Sequence, residues 1–407
     1  EIAGGSISGA KVMGAEAAGN AEKNVVTITN TPISNAATEI VGGRSTGGDA
    51  IENVVNVNAN ITGNVYGGRA NNASLRNTVN IADGVTVHGN VYGGACVTAD
   101  GNAVNIGRGS TVMGDVIAGN ATGSNSNNII NLTGARVNGT IKGGSGSAGD
   151  RDNTLAIHHD TAHPTSHIND FTGIKKLHFY LSEGIENENP TLLQLGVSHK
   201  DIANIDVGLG VHGRARALKV NDVISLMKVN GGTLTTDATI ANHVEAMHGV
   251  SLLYGFDLMK RGSGELIATV TKAAISDQAK SFVETRAGMT DFINRGADLL
   301  TASGMSAIRK GAESDKEKGK YDLWAVMSRG SMSVESGSQI DTAGWNLSLG
   351  WAKELRKKDA AIVVSPFIEY GKGSYDSHLD DGTHGSGKLS YLGAGVLARM
   401  EKEDGLW

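Results

Sequence analysis

The chain has 407 residues, of which 57 are glycine and only 4 are proline. Collagen needs abundant proline and glycine at every third position, so the composition excludes it. The net charge is −6 and charged residues make up 19% of the chain. This composition is neither that of a basic nucleic-acid-binding protein nor that of a strongly acidic, highly solvated chain. We therefore expect no nucleic-acid partner.

The single cysteine, Cys96, cannot form an intrachain disulfide, and no cysteine and histidine pair has zinc-finger spacing. No apolar run reaches the roughly 18 residues of a membrane-spanning helix, a limit that does not apply to membrane-spanning strands. Because the chain begins at Glu1 without a signal peptide and stops at Trp407 within a predicted strand, we expect it to be a fragment.

A repeat of about 25 residues runs through the first 150 residues. Its first element is an aliphatic-Asn-aliphatic tripeptide that starts at residues 55, 79, 104 and 130, and its second is a glycine-bounded segment that starts at residues 63, 89, 114 and 139. A weaker preceding copy gives about five coils. The alternation puts aliphatic side chains on one side of short strands, and only stacked coils can bury them. The pattern predicts a right-handed parallel β-helix over residues 1–150, since a disordered linker would lack in-register Val and Ile.

The middle residue of each tripeptide is an asparagine, giving a row of Asn56, Asn80, Asn105 and Asn131. Side-chain amides at equivalent positions of stacked strands can hydrogen-bond from coil to coil. We therefore predict a structural ladder here, with ligand binding as the less common alternative.

Beyond the repeat, residues 151–191 break the period and contain Pro164 and Pro190, so we expect an irregular connection there. Short alternating runs return over residues 192–272. They predict a capping β-module, because an uncovered terminal coil would present an unpaired edge.

Residues 275–310 change to helical periodicity. Ser276 is a candidate N-cap, and apolar residues including Phe282 and Phe292 recur every three or four positions. The helix also carries Gly288 and Gly296, which lower its intrinsic helix propensity, and charged residues that exclude contact with lipid. Residues 276–300 would span roughly 37 Å, so we predict a linker helix held inside a pore.

Residues 319–407 contain four segments with period-two alternation. One face is apolar and includes Trp324, while the other is polar and is predicted to carry Arg329, Glu369 and Arg399. Soluble sandwiches show the same alternation, but segments of about 13 residues exceed the usual strand length. The segments therefore favour an outer-membrane β-barrel, in which those charged residues line the lumen and satisfy one another or the helix charges.

The order of repeat, cap, helix and barrel strands resembles the C-terminal part of a classical monomeric autotransporter of Gram-negative bacteria, the type V secretion family. The most specific stretches are residues 249–255, 266–270, 277–300 and 323–351. The fold class expected from all this is all-β: a parallel β-helix passenger with a capping β-module, a linker α-helix, and antiparallel strands of a truncated outer-membrane barrel.

The resemblance further implies an autochaperone role for residues 192–272 and a helix threading a twelve-stranded barrel. About four of those strands, and the start of a fifth at residues 405–407, lie in this chain. It also implies outer-membrane lipid, barrel-assembly machinery and periplasmic chaperones as partners. Some relatives cut themselves at an Asn-Asn pair, but this helix has Asn294 beside Arg295, so we do not expect self-cleavage.

The expected function is a self-exporting passenger displayed at the cell surface and anchored in the outer membrane. We expect it to serve adhesion or another interaction with a host or surface ligand, without enzymatic activity or a cofactor. One alternative is a β-helix enzyme acting on polysaccharides, although the charged residues of 1–150 are scattered rather than clustered. Another is a soluble structural β-solenoid.

Two further patterns have more ordinary explanations. Residues 208–213 match GxGxxG, but no βαβ unit follows, so a glycine-rich turn is preferred to a dinucleotide site. Five potential metal ligands lie close together in sequence, where Pro164 prevents helical alignment, and we prefer an incidental polar loop to a metal site. These residues are His158, His159, Asp160, His163 and His167.

Overall fold

The computed structural model describes residues 2–3, 11–30, 33, 38–144, 150–212, 217–236, 243–249, 251–314, 321–335, 339–357, 360–379, 382 and 384–402. The chain divides into two compact units, Glu1–Ala274 and Ile275–Trp407. The predicted fifth barrel strand at residues 405–407 lies outside the described residues.

The first unit is built from short strands at the apolar-polar alternations predicted from the sequence. In chain order they are β1 (Ile2–Ala3), β2 (Lys11–Ala17), β3 (Ala21–Glu22), β4 (Val25–Thr29), β5 (Glu39–Ser45), β6 (Ala50–Ile51), β7 (Val54–Asn58), β8 (Asn64–Ala70), β9 (Ala73–Leu75), β10 (Thr78–Ile81), β11 (Thr86–Val87), β12 (Val91–Asp100), β13 (Ala103–Ile106), β14 (Thr111–Val112), β15 (Val116–Ser126), β16 (Ile129–Thr133), β17 (Arg136–Gly144), β18 (Asp150–Arg151), β19 (Thr154–His158), β20 (Ser166–Thr172), β21 (Lys176–Leu181), β22 (Leu193–Leu195), β23 (His199–Asp201), β24 (Asp206–Val211), β25 (Val223–Val229), β26 (Thr233–Thr235), β27 (Val244–His248), β28 (Leu252–Arg261) and β29 (Glu265–Ile275).

These strands stack as a parallel β-solenoid of about 7 turns, which confirms the predicted fold class. Each strand pairs in parallel with its equivalent one coil away, as in the column β7, β10, β13 and β16. The aliphatic residues of this column point inward: Val55, Val79, Val104 and Ile130 are all 0% exposed. A continuous apolar core therefore runs along the stack, and burial of this surface is the main driving force for coil stacking.

The stack continues where the sequence had predicted an irregular connection, over residues 151–191. Strand β19 pairs in parallel with both β16 and β21, and β21 pairs with β24. The inward side chains of these coils, including Leu155, Leu177 and Phe179, are fully buried. The period breaks because residues 159–165 join β19 to β20, whereas residues 134–135 make the same connection one coil earlier.

The region predicted as a capping module, residues 192–272, begins with further parallel strands and then reverses direction. Strand β22 pairs in parallel with β25, but β25 pairs with β29 and β27 pairs with β28 in antiparallel register. Antiparallel pairing ends the repeat of equivalent strands, because the chain no longer climbs by one coil per turn.

A ladder of buried asparagines follows one corner of the solenoid. Asn77 donates through its side-chain amide to Asn102 Oδ1 at 3.0 Å and to the carbonyl of Ala50 at 2.9 Å. Its own Oδ1 accepts from the backbone and side-chain N–H groups of Asn53, at 3.0 and 2.8 Å. All polar atoms of the side chain thus have partners, which is the condition for burying an amide at low cost. Five asparagines in this ladder are 0% exposed: Asn53, Asn77, Asn102, Asn128 and Asn153.

The second element of the repeat contains glycine pairs such as Gly67-Gly68, and these pairs and the equivalent single Gly119 lie against this ladder. A Cβ on Gly68 would lie 2.5 Å from Asn77 Nδ2, and one on Gly119 would lie 2.7 Å from Asn128 Nδ2. No side chain fits at that distance, so the repeat needs glycine where the backbone approaches the amides.

The second unit contains helix α1 (Asp277–Leu299), a π-helical turn (Leu300–Gly304) and helix α2 (Met305–Ser314). Four antiparallel strands follow in sequential order: β30 (Asp322–Glu335), β31 (Gln339–Lys357), β32 (Ala360–His378) and β33 (His384–Lys402). Three of these strands have 19 residues, far above the usual five or six. This linker helix and antiparallel sheet match the prediction.

Replacing Asn102 with alanine tests the buried ladder. The change removes the acceptor of the buried backbone N–H of Asn77, and such an unpartnered donor costs about 1–3 kcal/mol. The side-chain amide of Asn77 keeps the Ala50 carbonyl and Ser74 Oγ as acceptors. We expect N102A to lower the free energy of local opening around β10 and β13 by about 1–3 kcal/mol. Hydrogen exchange read by mass spectrometry measures this change.

The matched control is Asn105→Ala, three residues away in a half-buried outward row, where water can replace the lost contacts. We expect it to cost less than about 1 kcal/mol. Equal loss of protection in the two variants would show that the buried ladder has no special role.

Candidate functional sites

The predicted asparagine row forms hydrogen bonds from coil to coil on the outer surface of the solenoid. Asn80 donates to Asn56 at 2.8 Å, Asn105 to Asn80 at 2.7 Å, and Asn131 to Asn105 at 2.7 Å. His158 continues the row, with its Nε2 3.2 Å from Asn131 Oδ1. Because these amides bond to one another, their arrangement supports the structural interpretation.

The sequence analysis missed the second, buried row. Its members Asn53, Asn77, Asn102, Asn128 and Asn153 recur at spacings of 24, 25, 26 and 25 residues, the same signal that revealed the outer row. Each precedes a strand rather than lying in the alternating tripeptide, so the search for alternation passed over it. The signal in the sequence was the recurrence of an asparagine immediately before one strand of each coil.

In the second unit, α1 packs on the face of the sheet that carries small and polar residues. The ring of Phe292 is 1% exposed and meets Tyr391 edge to face, with centroids 5.8 Å apart. Thr342 Oγ1 donates to Asp291 at 3.3 Å. Helix α1 thus meets the sheet through an aromatic contact and a hydrogen bond, while the residues that follow it add a small apolar cluster. In this cluster Leu300 and Ile308 pack with Trp324, Ala352 and Val363 of the sheet.

Glycines on both surfaces allow this close approach. A Cβ on Gly288 of the helix would lie 2.6 Å from Ile340 Cδ1, and one on Gly344 of the sheet would lie 2.7 Å from Phe292 Cε2. The glycines that weaken the helix as an isolated element are therefore required where it packs.

Ser276 immediately precedes α1 with extended backbone angles, φ −62° and ψ 137°, as an N-cap residue does. Its side chain makes no capping hydrogen bond, but its carbonyl accepts from the backbone N–H of Ala279 at 2.9 Å. The side chain of Phe282 lies outside the described residues.

Strand pairing places the three predicted lumenal charges on two different faces. Glu369 lies opposite Ser348, and Arg399 lies opposite Val363, both on the helix-facing side. Arg329 instead lies opposite Trp345, on the face turned away from the helix. Directly paired residues share a face, so the prediction for Arg329 was wrong.

The same register corrects Trp324, which the alternation had placed on the apolar outer face. It pairs with Gly350, is buried, and donates from Nε1 to Ser365 Oγ at 2.7 Å on the helix-facing side. The first strand has a less regular alternation than the other three, and its phase is fixed only by its pairing with β31.

The face of the sheet opposite the helix is apolar and solvent-accessible. Leu392 is 78% exposed, Leu323 is 71% exposed and Val396 is 64% exposed. Further large apolar side chains exposed on this face are Met327, Trp351, Leu355, Ile368 and Met400. Such a contiguous patch on a protein surface marks contact with another apolar phase or partner.

The five candidate metal ligands do not converge. His158 stacks on Tyr180 with ring centroids 4.6 Å apart, and His159 Nδ1 lies 3.0 Å from Ser182 Oγ. Asp160 pairs with Arg108 Nε at 3.0 Å. Within the described ranges, no three His, Cys, Asp or Glu side chains are grouped in a way that could hold a metal ion.

Residues 208–211 of the GxGxxG segment lie in a strand rather than in the predicted turn. Gly208 and Gly210 lie in β24 beneath the rings of the preceding coil, where a Cβ would come within 2.6 Å of His178 and 2.8 Å of Tyr180. Glycine is needed there to accommodate the two rings.

No protein family matches this chain, and neither a curated protein nor a solved structure matches it. Among the described residues, no helix has the length and apolar character needed to cross a membrane.

Replacing Gly288 with leucine tests the helix–sheet packing. The substitution gains roughly 1 kcal/mol of helix propensity, but the new side chain must displace Ile340, and overpacking costs about 1–3 kcal/mol. We expect trypsin to cleave faster after Arg286, measured by mass spectrometry. Ala287→Leu, on the exposed side of the same helix, is the control and should not accelerate cleavage; faster cleavage in both variants would refute the packing argument.

Four histidines predict acid lability of the coils between residues 154 and 181. Burial lowers the pKa of His158, His159, His167 and His178. Their neutral forms are favoured in the folded state, so their contribution to stability is complete above the unfolded pKa of about 6.5 and is lost as the pH falls toward the folded values.

We expect hydrogen-exchange protection of residues 154–181, corrected for intrinsic rates, to fall between pH 7.5 and pH 5. Residues 54–81 contain no histidine and provide an internal control that should keep its protection. Carboxylates contribute little to the difference between the two segments, because they titrate mostly below pH 5. Unchanged protection of residues 154–181 would contradict the prediction.

Proposed function

We propose that this chain is part of a self-exporting surface protein of the autotransporter type. Its β-solenoid is the passenger displayed outside the cell, and its four long strands belong to an outer-membrane barrel that anchors it. The passenger serves adhesion or another interaction at the surface.

The observation that carries this proposal is the inverted polarity of the four-stranded sheet. The helix covers the face with Asn346, Ser348 and Glu369, while the face with Leu392 and Val396 is open. A soluble sandwich would bury its apolar face and expose its polar one. A barrel strand in lipid does the reverse, with its apolar side outward and its polar side toward a lumen.

The dimensions of the helix and strands support the same function. Helix α1 has 23 residues and is therefore about 34 Å long at 1.5 Å per residue, close to the ~30 Å hydrocarbon thickness. Strands of 14 to 19 residues exceed the 9–11 residues that a tilted strand needs to cross that layer.

The solenoid is suited to folding after export. Each coil pairs with the one before it and extends both the apolar core and the amide ladder, so folding can proceed one coil at a time. The free energy released by each added coil opposes return of the chain through a pore, without need of ATP. The lone Cys96 fits this route, since no intrachain disulfide loop would have to pass through the pore.

Flotation with lipid vesicles tests the membrane part of the proposal. The full chain, diluted from urea into phosphatidylcholine vesicles, is expected to rise with the lipid in a density gradient. Val396→Arg places a charge on the open apolar face, where it costs roughly 2–4 kcal/mol near the bilayer centre, and we expect it to reduce the floated fraction.

The control for this variant is Val97→Arg, the same substitution at an exposed site of the solenoid. It should float like the unaltered chain. A chain that stays monodisperse in water without detergent and ignores vesicles would instead support the soluble β-solenoid.

A further inference from the structure

The loop that breaks the repeat, residues 159–165, is held firmly against the solenoid. The Asp160 side chain is only 12% exposed, accepts from Arg108 Nε at 3.0 Å, and accepts from the backbone N–H of His163 at 3.0 Å. The His163 ring lies over Gly109, whose Cβ would come within 3.0 Å of Cε1. The loop therefore forms a fixed wall at one corner of the coils.

Beside this wall lies a surface groove that we call the corner groove. It consists of two adjoining depressions of about 440 and 250 Å³, which share Arg136 and His167. Its other polar lining residues include Thr111, His163, Gln194 and Asn230.

Parallel pairing arranges the side chains of the groove in a line. Thr111 pairs with Arg136, Arg136 with His167, and His167 with Gln194, each one coil further along. Adjacent coils are about 4.8 Å apart, so the groove presents a polar group at regular intervals along a line. This spacing suits an extended ligand with a repeating unit, such as an oligosaccharide.

The charge of the groove is positive. Arg136 is exposed, and no ion pair to it occurs among the described residues, while no aspartate or glutamate lines either depression. The nearby Asp170 is paired with Lys200 at 2.8 Å, so its charge is already compensated. An unpaired guanidinium on a preformed surface favours carboxylate or sulfate groups.

We propose that the corner groove binds an acidic oligosaccharide, with Arg136 pairing with its carboxylate or sulfate groups. The side chains of Asn138, Asn169, Gln194 and Asn230 can donate and accept, as sugar hydroxyls require. The groove is a binding site rather than a hydrolytic one, because glycoside hydrolysis ordinarily uses two carboxylic acids and the lining has none.

This inference rests on the proposed function in one respect only, since it supplies the ligand class for a passenger displayed at the surface. Binding by the purified protein needs neither export nor membrane insertion. A protein that floats with vesicles but binds no glycan would refute this inference alone, and the converse result would refute the membrane proposal alone.

The test is isothermal titration of the full chain in detergent micelles with three probes. They are sulfated heparin fragments, carboxylated oligogalacturonate and neutral dextran fragments. We expect binding of at least one acidic probe, weakened by added salt, and no binding of dextran. The acidic probe that binds identifies the anionic group.

Arg136→Gln should weaken this binding about tenfold or more, because it removes a charge-assisted contact. The control Arg151→Gln removes an exposed arginine outside the groove and should leave the affinity unchanged. Circular dichroism verifies that both variants are folded. The proposal is overturned if neither acidic probe binds, if dextran binds equally well, or if the two variants weaken binding to the same extent.

Discussion

The buried amide ladder is the interaction on which the solenoid depends. A side-chain amide placed among aliphatic residues is tolerated only when its donors and acceptors all have partners. Here the asparagines of the ladder are partners of one another from coil to coil, as Asn77 is of Asn102, so the requirement is met only in one register. The glycine pairs are a consequence, because Gly68 must let the backbone approach the amide. One constraint thus explains both the buried asparagines and the glycines that lie against them.

The second unit distributes polar and apolar residues in the opposite way to the solenoid, because its polar face is covered and its apolar face is exposed. Its polar face is covered by a helix, and glycines such as Gly288 and Gly344 make the contact close enough to exclude most other side chains. Its apolar face has no covering among the described residues. In water such an arrangement exposes a large unfavourable surface, whereas in lipid the same surface is solvated. The proposed membrane environment therefore rests on which face of the sheet the helix occupies.

The corner groove of the solenoid lies where the regular repeat of coils is interrupted. The ordinary coils bond to one another through Asn80 and its equivalents, which leaves little polar capacity for a ligand. The inserted loop at 159–165 changes this by raising a wall beside Arg136, whose charge is not compensated by the described part of the chain. Regular coils provide rigidity, and one irregular corner forms the groove that we propose as a binding site.

The sequence by itself determined the strands, their parallel stacking and the alternation that puts Glu369 and Arg399 on one face, because these depend on local periods of 2 and about 25 residues. Only the tertiary structure decided which side of each strand is inside. Arg329 lies on the outer face because it pairs with Trp345, and Asn102 points into the core while Asn105 points out. The period of a sequence gives the spacing of side chains along a strand. Which of the two faces of the strand is buried depends on the elements that pack against it in the folded structure. The coils at residues 151–191 were missed for the same reason. The inserted loop at residues 159–165 breaks the sequence period, whereas the strand pairing shows that the stack continues.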